Sequence, residues 1–166
     1  MIIVYTSNTG HTEQYAKLLA GKLSLPAYAL DSFPEQAAGS DAIYLGWMMA
    51  GSVVGYNKAK KKCNIKCVVA VGMSKLQQPE IDAMHEKMGL SPAVPLFQLQ
   101  GGYDINKLSG PYKLIMSVKG KEIRSKLEAK GQLSETDKAM YDMVTKGYSA
   151  VREANLDPVA AWFDKR

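Results

Sequence analysis

The segment that most constrains the fold is an apolar run that leads through a loop of hydroxyl side chains into a helical pattern. The run covers residues 2–5, the loop at residues 7–13 reads SNTGHTE, and apolar residues at helical spacing continue to Leu23. This order predicts a strand over residues 1–6 and a helix from about Thr9 to Leu23. Because the first turn of a helix has unpaired N–H groups and a partial positive charge, this arrangement favours an anion such as phosphate.

The loop has its own donors but no cationic side chain. Ser7, Thr9 and Thr12 carry hydroxyls, and Gly10 allows the backbone to come close to a ligand. The loop matches neither the G-x-x-x-x-G-K-[ST] nor the G-x-G-x-x-G pattern. Ser, Thr and Asn are also common helix caps, so a turn without a ligand is the alternative interpretation.

Further apolar segments alternate with helical patterns along the chain. They lie at residues 26–30, 42–46, 67–71 and 95–99, and the third is apolar throughout, as expected of a parallel strand covered on both faces. The alternation predicts an α/β fold with a doubly wound parallel sheet. At 166 residues, we expect a single domain over residues 1–166.

Residues 7–13 resemble the [ST]-x-T-G-x-T-[ED] phosphate loop of the flavodoxin family, which holds the 5′-phosphate of FMN. The resemblance covers residues 1–102 and 156–166. It implies a five-stranded parallel sheet in the order 2-1-3-4-5. FMN is then expected at the carboxyl ends of the strands, where doubly wound sheets bind ligands.

The resemblance implies that the apolar loop at residues 46–51 faces the flavin. Ala50 stands where many members carry a stacking Trp, and the apolar wall is expected from residues 47–49 instead. Trp47 is the residue expected to stack, unless it belongs to the core beneath the loop. Gly51 corresponds to a glycine whose carbonyl accepts a hydrogen bond from N5–H of the reduced flavin, a change of peptide orientation that glycine permits.

The resemblance also implies flavin contacts from residues 72–75. This loop has no aromatic side chain, so Gly72 and Met73 are expected to contribute backbone contacts, and Tyr103 is a candidate for the missing aromatic. His11 is expected to direct an N–H group towards the phosphate. The predicted cofactor-binding residues are Ser7, Asn8, Thr9, Gly10, His11, Thr12, Trp47, Met48, Met49, Ala50, Gly51, Gly72 and Met73.

No catalytic side-chain group and no metal site are predicted. Cys63 and Cys67 are four residues apart, and His11 and His85 are the only histidines. Zinc would need further ligands, so we expect Cys67 to pack as a small hydrophobic residue. Any chemistry is expected from the flavin, with the protein controlling its potential and access.

A helix-rich, lysine-rich stretch over about residues 103–147 is predicted to be an insertion after the fifth strand. It is most similar to the menaquinone-dependent protoporphyrinogen oxidase branch of the flavodoxin-like proteins, whose inserted helices face a membrane or a partner. Leu108, Tyr112, Ile115 and Lys119 fall at helical spacing and predict an apolar face flanked by lysines. Solvated lysines on a helix pair packed against the sheet are the alternative.

The net charge of +5 and the pI near 9.1 indicate anionic partners. We expect a redox partner protein or an organic electron acceptor, and a peripheral membrane contact through the basic insertion is a further expectation. No nucleic-acid partner is expected. The sequence has neither an apolar run of membrane-spanning length nor a signal-peptide pattern, which predicts a cytoplasmic location.

Three functions are consistent with these features. The first is an FMN-binding electron-transfer protein. The second is an FMN-dependent oxidoreductase that acts on a quinone, a tetrapyrrole or a similar organic substrate. The third is a binding module that has this fold but no flavin, which the departures from the family's aromatic residues would allow.

Overall fold

Strands and helices alternate along the chain in the computed structural model, which describes residues 1–108 and 110–166, except the side chains of residues 110–112, 136 and 139. The strands are β1 (Ile2–Tyr5), β2 (Ala27–Ala29), β3 (Asp41–Met49), β4 (Ser52–Val53), β5 (Asn64–Gly72), β6 (Leu96–Gln100), β7 (Gly102–Tyr103) and β8 (Tyr148–Ser149). The helices are α1 (His11–Leu23), α2 (Tyr56–Ala59), α3 (Gln78–Lys87), α4 (Gly110–Glu128), α5 (Glu135–Lys146) and α6 (Asp157–Phe163).

The central sheet is mostly parallel and follows the order β2-β1-β3-β5-β6. Counting only these five parallel strands, this is the predicted order 2-1-3-4-5, so the α/β class and the strand order are confirmed. The prediction of five strands is wrong by one, because the short β4 pairs antiparallel with β3 and makes the sheet six-stranded.

Helices cover both faces of the sheet. Consecutive residues of β5 point into two separate apolar clusters, as the period of two along a strand requires. Val68 packs in one cluster with Met84 of α3, whereas Val69 packs in the other with Leu19 of α1 and Val159 of α6. Cys67 lies fully buried in the second cluster, which confirms its predicted role as a packing residue.

The predicted apolar loop at residues 46–51 is a strand end and a tight turn. β3 continues through Met49, and Ala50 and Gly51 alone turn the chain into β4. Both turn residues have positive φ, 48° and 68°, as in two-residue hairpin turns. Gly46 lies inside β3 rather than at its end. A Cβ at this position would lie 2.7 Å from the Val54 carbonyl oxygen, in the segment after β4. The glycine therefore marks a close approach of two segments.

The helical insertion is confirmed as two helices, α4 and α5, that pack against each other. The chain enters the insertion through β7 and leaves it through β8, and these two strands pair antiparallel with Gly102 opposite Ser149 and Tyr103 opposite Tyr148. The insertion is thus joined at its base by a two-stranded sheet that local patterns did not predict. Within the described part of the chain, no helix combines the length and hydropathy needed to span a bilayer.

Candidate functional site

The loop between β1 and α1 exposes a helix N-terminus that has no side-chain cap. Gly10 occupies the N-cap position with φ 88°, and its N–H donates to Ser7 Oγ at 3.1 Å. The first intrahelical bond runs from the N–H of Gln14 to the Gly10 carbonyl at 3.0 Å. The N–H groups of residues 11–13 precede this bond and have no acceptor within the helix. This geometry can accommodate an anion.

A cavity of about 440 Å³ opens beside this loop, at the carboxyl ends of β1, β3 and β5. Four segments contribute to its lining: the loop after β1, the end of β3, the end of β5, and the insertion. The lining residues are Asn8, Thr9, His11, Thr12, Trp47, Met48, Met49, Ala50, Val71, Gly72, Met73, Ser74, Gly102, Tyr103, Leu108, Ile115, Met116 and Lys119.

The structure brings most of the predicted site residues together around this one cavity. All of them line it except Ser7, Gly10 and Gly51. Ser7 and Gly10 shape the loop through their mutual hydrogen bond. Gly51 is set back in the β3–β4 turn, where the preceding carbonyl, that of Ala50, accepts from Lys87 Nζ at 2.6 Å. Of the two turn residues, Ala50 is therefore the one that faces the cavity.

The end of β3 supplies the apolar wall. Trp47 is half-buried, pairs with Val71 in the sheet and lines the cavity. Met48 contributes both to the lining and to the core on the α3 side of the sheet. Trp47 lies in strand β3 and belongs to neither apolar cluster, and whether it stacks on a ring stays a prediction.

The end of β5 has backbone groups that already take part in hydrogen bonds. The Gly72 carbonyl accepts from the N–H of Gly101 at 2.7 Å, and the Met73 carbonyl accepts from Gln100 Nε2 at 3.2 Å. A Cβ at Gly72 would lie 2.8 Å from Met48 Sδ, so glycine allows the two walls to approach each other. Since each carbonyl has a second lone pair, both can still accept a hydrogen bond from a ligand.

His11 connects the loop to the base of the insertion. Its side chain is 7% exposed, and Nδ1 lies 2.9 Å from Thr9 Oγ1. The ring also lies near the backbone of Tyr148 in β8, since both are close to Gly102. Burial, followed by the positive charge of Lys107, lowers the pKa of His11 below its ordinary value. Because Nδ1 bonds to Thr9, the backbone N–H of His11 is the group left to meet a ligand, and the expected contact between an N–H group of His11 and the phosphate stays a prediction.

Sequence reasoning did not place the predicted apolar face of the insertion at the cavity. Leu108, Ile115 and Lys119, three members of that face, line the cavity together with Tyr103, which the sequence did identify as a candidate aromatic. The side chain of Tyr112, the fourth member, lies outside the described residues. The helical spacing did identify this face, but it could not show that the face turns towards the ends of the strands.

Many basic residues of the insertion are held by nearby carboxylates. Ion pairs at 2.6–3.4 Å join Lys107 to Asp104, Arg124 to Glu128, Lys126 to Glu122 and Lys130 to Asp137. In the part of the chain that the structure describes, no carboxylate oxygen lies within 4.0 Å of the remaining predicted lysines, which are Lys113, Lys119 and Lys121. Of the predicted lysines, those without a carboxylate partner among the described residues therefore lie on α4 between residues 113 and 121.

Among residues 1–108 and 110–166, no group of three His, Cys, Asp or Glu side chains is placed to hold a metal ion. Comparisons of the chain with protein-family models, with curated proteins and with solved structures find no match. The choice of a function therefore depends on the shape and chemistry of the cavity.

Proposed function

We propose that this chain is a flavodoxin-like protein that binds FMN in the cavity at the strand ends and transfers electrons through it. The observation that carries the proposal is the convergence of an uncapped helix N-terminus and an apolar wall on one cavity. The first suits a phosphate and the second suits a flat, largely apolar ring system.

The residues at the cavity fit this cofactor. A volume of about 440 Å³ falls within the range of roughly 300–1,000 Å³ found for small-molecule sites. Thr9, Thr12 and the N–H groups of residues 11–13 would hold the phosphate. Trp47 and Met49 would cover the ring, and the backbone near Gly72 would meet its polar edge. Bound FMN would supply transfer of one or two electrons, while these residues position it and limit the access of water.

The experiment that tests this proposal is a visible spectrum of the purified protein after incubation with FMN and gel filtration. We expect flavin absorbance to travel with the protein in a ratio of one FMN per chain. Protein that emerges without flavin absorbance would favour the third function considered above, a binding module without flavin.

One observation favours the oxidoreductase as a second candidate function. The insertion contributes Tyr103, Leu108, Ile115 and Lys119 to the same cavity. A simple carrier needs an accessible flavin edge. An apolar wall with one cation instead suits an organic acceptor that has an apolar body and an anionic group. Saturation of the reoxidation rate with a soluble quinone would support this function over a simple carrier.

The stretch of α4 over residues 113–121 is the proposed approach for an anionic electron acceptor. Leu114 and Val118 are 71% and 61% exposed, and Lys113 and Lys121 lie on the same helix. In the double variant Lys113→Glu, Lys121→Glu, we expect the reduced protein to be reoxidised by ferricyanide about tenfold more slowly at low ionic strength. The difference should vanish near 1 M salt, where charges are screened within about 3 Å.

The matched control for this prediction is the double variant Lys61→Glu, Lys165→Glu, which changes the net charge equally on exposed residues outside the insertion. Neutral benzoquinone should reoxidise all three proteins at the same rate. If the α4 variant and the control behave alike with ferricyanide, the lysines of α4 are only solvated surface. Flotation with anionic vesicles, compared between the same two variants, tests the predicted membrane contact.

A further inference from the structure

The side chain of His11 lies between the proposed phosphate site and the insertion. It is the first residue of α1, and its Nδ1 faces Thr9 Oγ1 at 2.9 Å. On its other side, a Cβ added to Gly102 would collide with both Nε2 of His11 and the Tyr148 carbonyl oxygen, so both atoms lie close to Gly102. Nε2 is therefore the ring nitrogen that faces the β8 backbone.

The partners of the ring determine where its proton lies. Because a carbonyl oxygen only accepts, the nearby Tyr148 carbonyl favours the ring tautomer that carries its hydrogen on Nε2. In the neutral ring Nδ1 is then an acceptor, and the Thr9 hydroxyl donates its single hydrogen to it. Thr9 cannot donate the same hydrogen to an anion. When His11 takes up a second proton, Nδ1 becomes the donor and the hydrogen of Thr9 is released towards the cavity.

The charged groups around His11 come from the insertion and from the cavity. Lys107 and Asp104 act on the ring from the segment between β7 and α4, and these two residues pair at 3.4 Å. Lys119 of α4 lines the same cavity. On the helix of His11 itself, Glu13 is paired with Lys17 at 2.6 Å. Burial and Lys107 favour the neutral ring in the empty site, whereas an anion beside Thr9 would favour the charged ring.

We infer that His11 is a proton-linked positioning residue, which takes up a proton when an anion enters the loop and thereby makes Thr9 a donor to that anion. The inference rests on the proposed function and specifies how its phosphate site works. Because the charged ring is favoured in the complex, the pKa of His11 rises on binding. Affinity for the anion then increases as the pH falls through the interval between the bound and the free pKa of His11. The total increase is a factor of ten for each unit by which binding raises this pKa.

NMR titration of the two histidine rings tests this directly. The chain contains only His11 and His85, so two ring signals are expected, and the variant His11→Asn assigns them. We expect addition of FMN to raise the pKa of His11 by about one unit. The ring signal of His85, which bonds the Val94 carbonyl from α3, is the internal reference. A bound-state pKa for His11 equal to or below the free value overturns the inference.

The pH dependence of affinity gives a second readout. The phosphate of FMN titrates near pH 6 itself, so the comparison is between the parent and His11→Asn, whose amide can donate to Thr9 at every pH. Between pH 8 and pH 5.5 we expect the ratio of parent to variant FMN affinity to rise severalfold, towards a limit of about tenfold below the free pKa of His11. For riboflavin, which lacks the phosphate, the ratio should be constant. An FMN ratio that is also constant overturns the inference while the proposed function stands.

Failure of the proposed function can be distinguished from failure of this inference. If FMN does not bind, the proposed function fails, and sulfate, which does not titrate between pH 5 and 8, serves as the probe. A rise in the pKa of His11 with sulfate would support the proton-linked loop without a flavin. If FMN does not bind and sulfate does not raise the pKa of His11, both the proposed function and the inference are overturned.

Discussion

Replacing Thr9 and Thr12 with valine is expected to weaken FMN binding by a hundredfold or more. Valine keeps the branched shape of each side chain, which matters because Thr12 is only 2% exposed. Each lost hydrogen bond to a charged phosphate costs about 1.5–3 kcal/mol, and about 2.7 kcal/mol corresponds to a hundredfold change in affinity. Fluorescence titration with FMN measures the effect.

Two controls separate this effect from damage to the fold. Thr145→Val removes a hydroxyl that bonds the Tyr141 carbonyl within α5, far along the chain from the loop, and should leave FMN affinity unchanged. Riboflavin should bind the Thr9→Val, Thr12→Val protein about as well as it binds the parent. If this double variant binds FMN as tightly as the parent does, the phosphate lies elsewhere.

Gly102→Ala is expected to destabilise the protein by about 1–3 kcal/mol, the usual cost of overpacking. The new Cβ would collide with the Tyr148 carbonyl and with His11, the atoms that join the insertion to the loop. For a chain of this length, each kcal/mol of destabilisation lowers Tm by about 2–4 °C, so thermal unfolding should show a Tm several degrees below that of the parent.

The matched control is Gly21→Ala in α1, where an added Cβ would meet no atom within 4 Å. Alanine inside a helix is favoured over glycine by roughly 0.5–1 kcal/mol, so this variant should be slightly more stable than the parent. If Gly102→Ala unfolds at the same temperature as the parent, His11 and β8 are not packed as closely as described.

The parallel sheet could be predicted because its signals are local. The apolar runs at residues 2–5 and 67–71 reflect burial on both faces, and the loop at residues 7–13 is defined by adjacent residues. The ends of β1, β3 and β5 meet at one cavity as a consequence of the parallel order, which explains why most predicted site residues lie together.

The structural features that the sequence did not predict depend on contacts between distant segments. From the sequence, Gly46 resembles the end of a strand. A glycine is required at this position inside β3 because the chain after β4 passes close to it. The orientation of α4 depends on the pairing of Gly102 with Ser149, which no local pattern encodes. For the same reason the link from His11 to Tyr148 could not be anticipated from the loop itself.

The most direct test of the proposed cofactor site is a pair of equilibrium titrations of the flavin-free parent protein, one with FMN and one with riboflavin. The two ligands share the ring and differ in the phosphate, so the ratio of their affinities reports the contribution of the loop at residues 7–13. We expect one FMN per chain and an affinity at least about a hundredfold higher than for riboflavin, equivalent to two charge-assisted hydrogen bonds. Equal affinities for the two ligands, or no binding of FMN, would contradict the proposal.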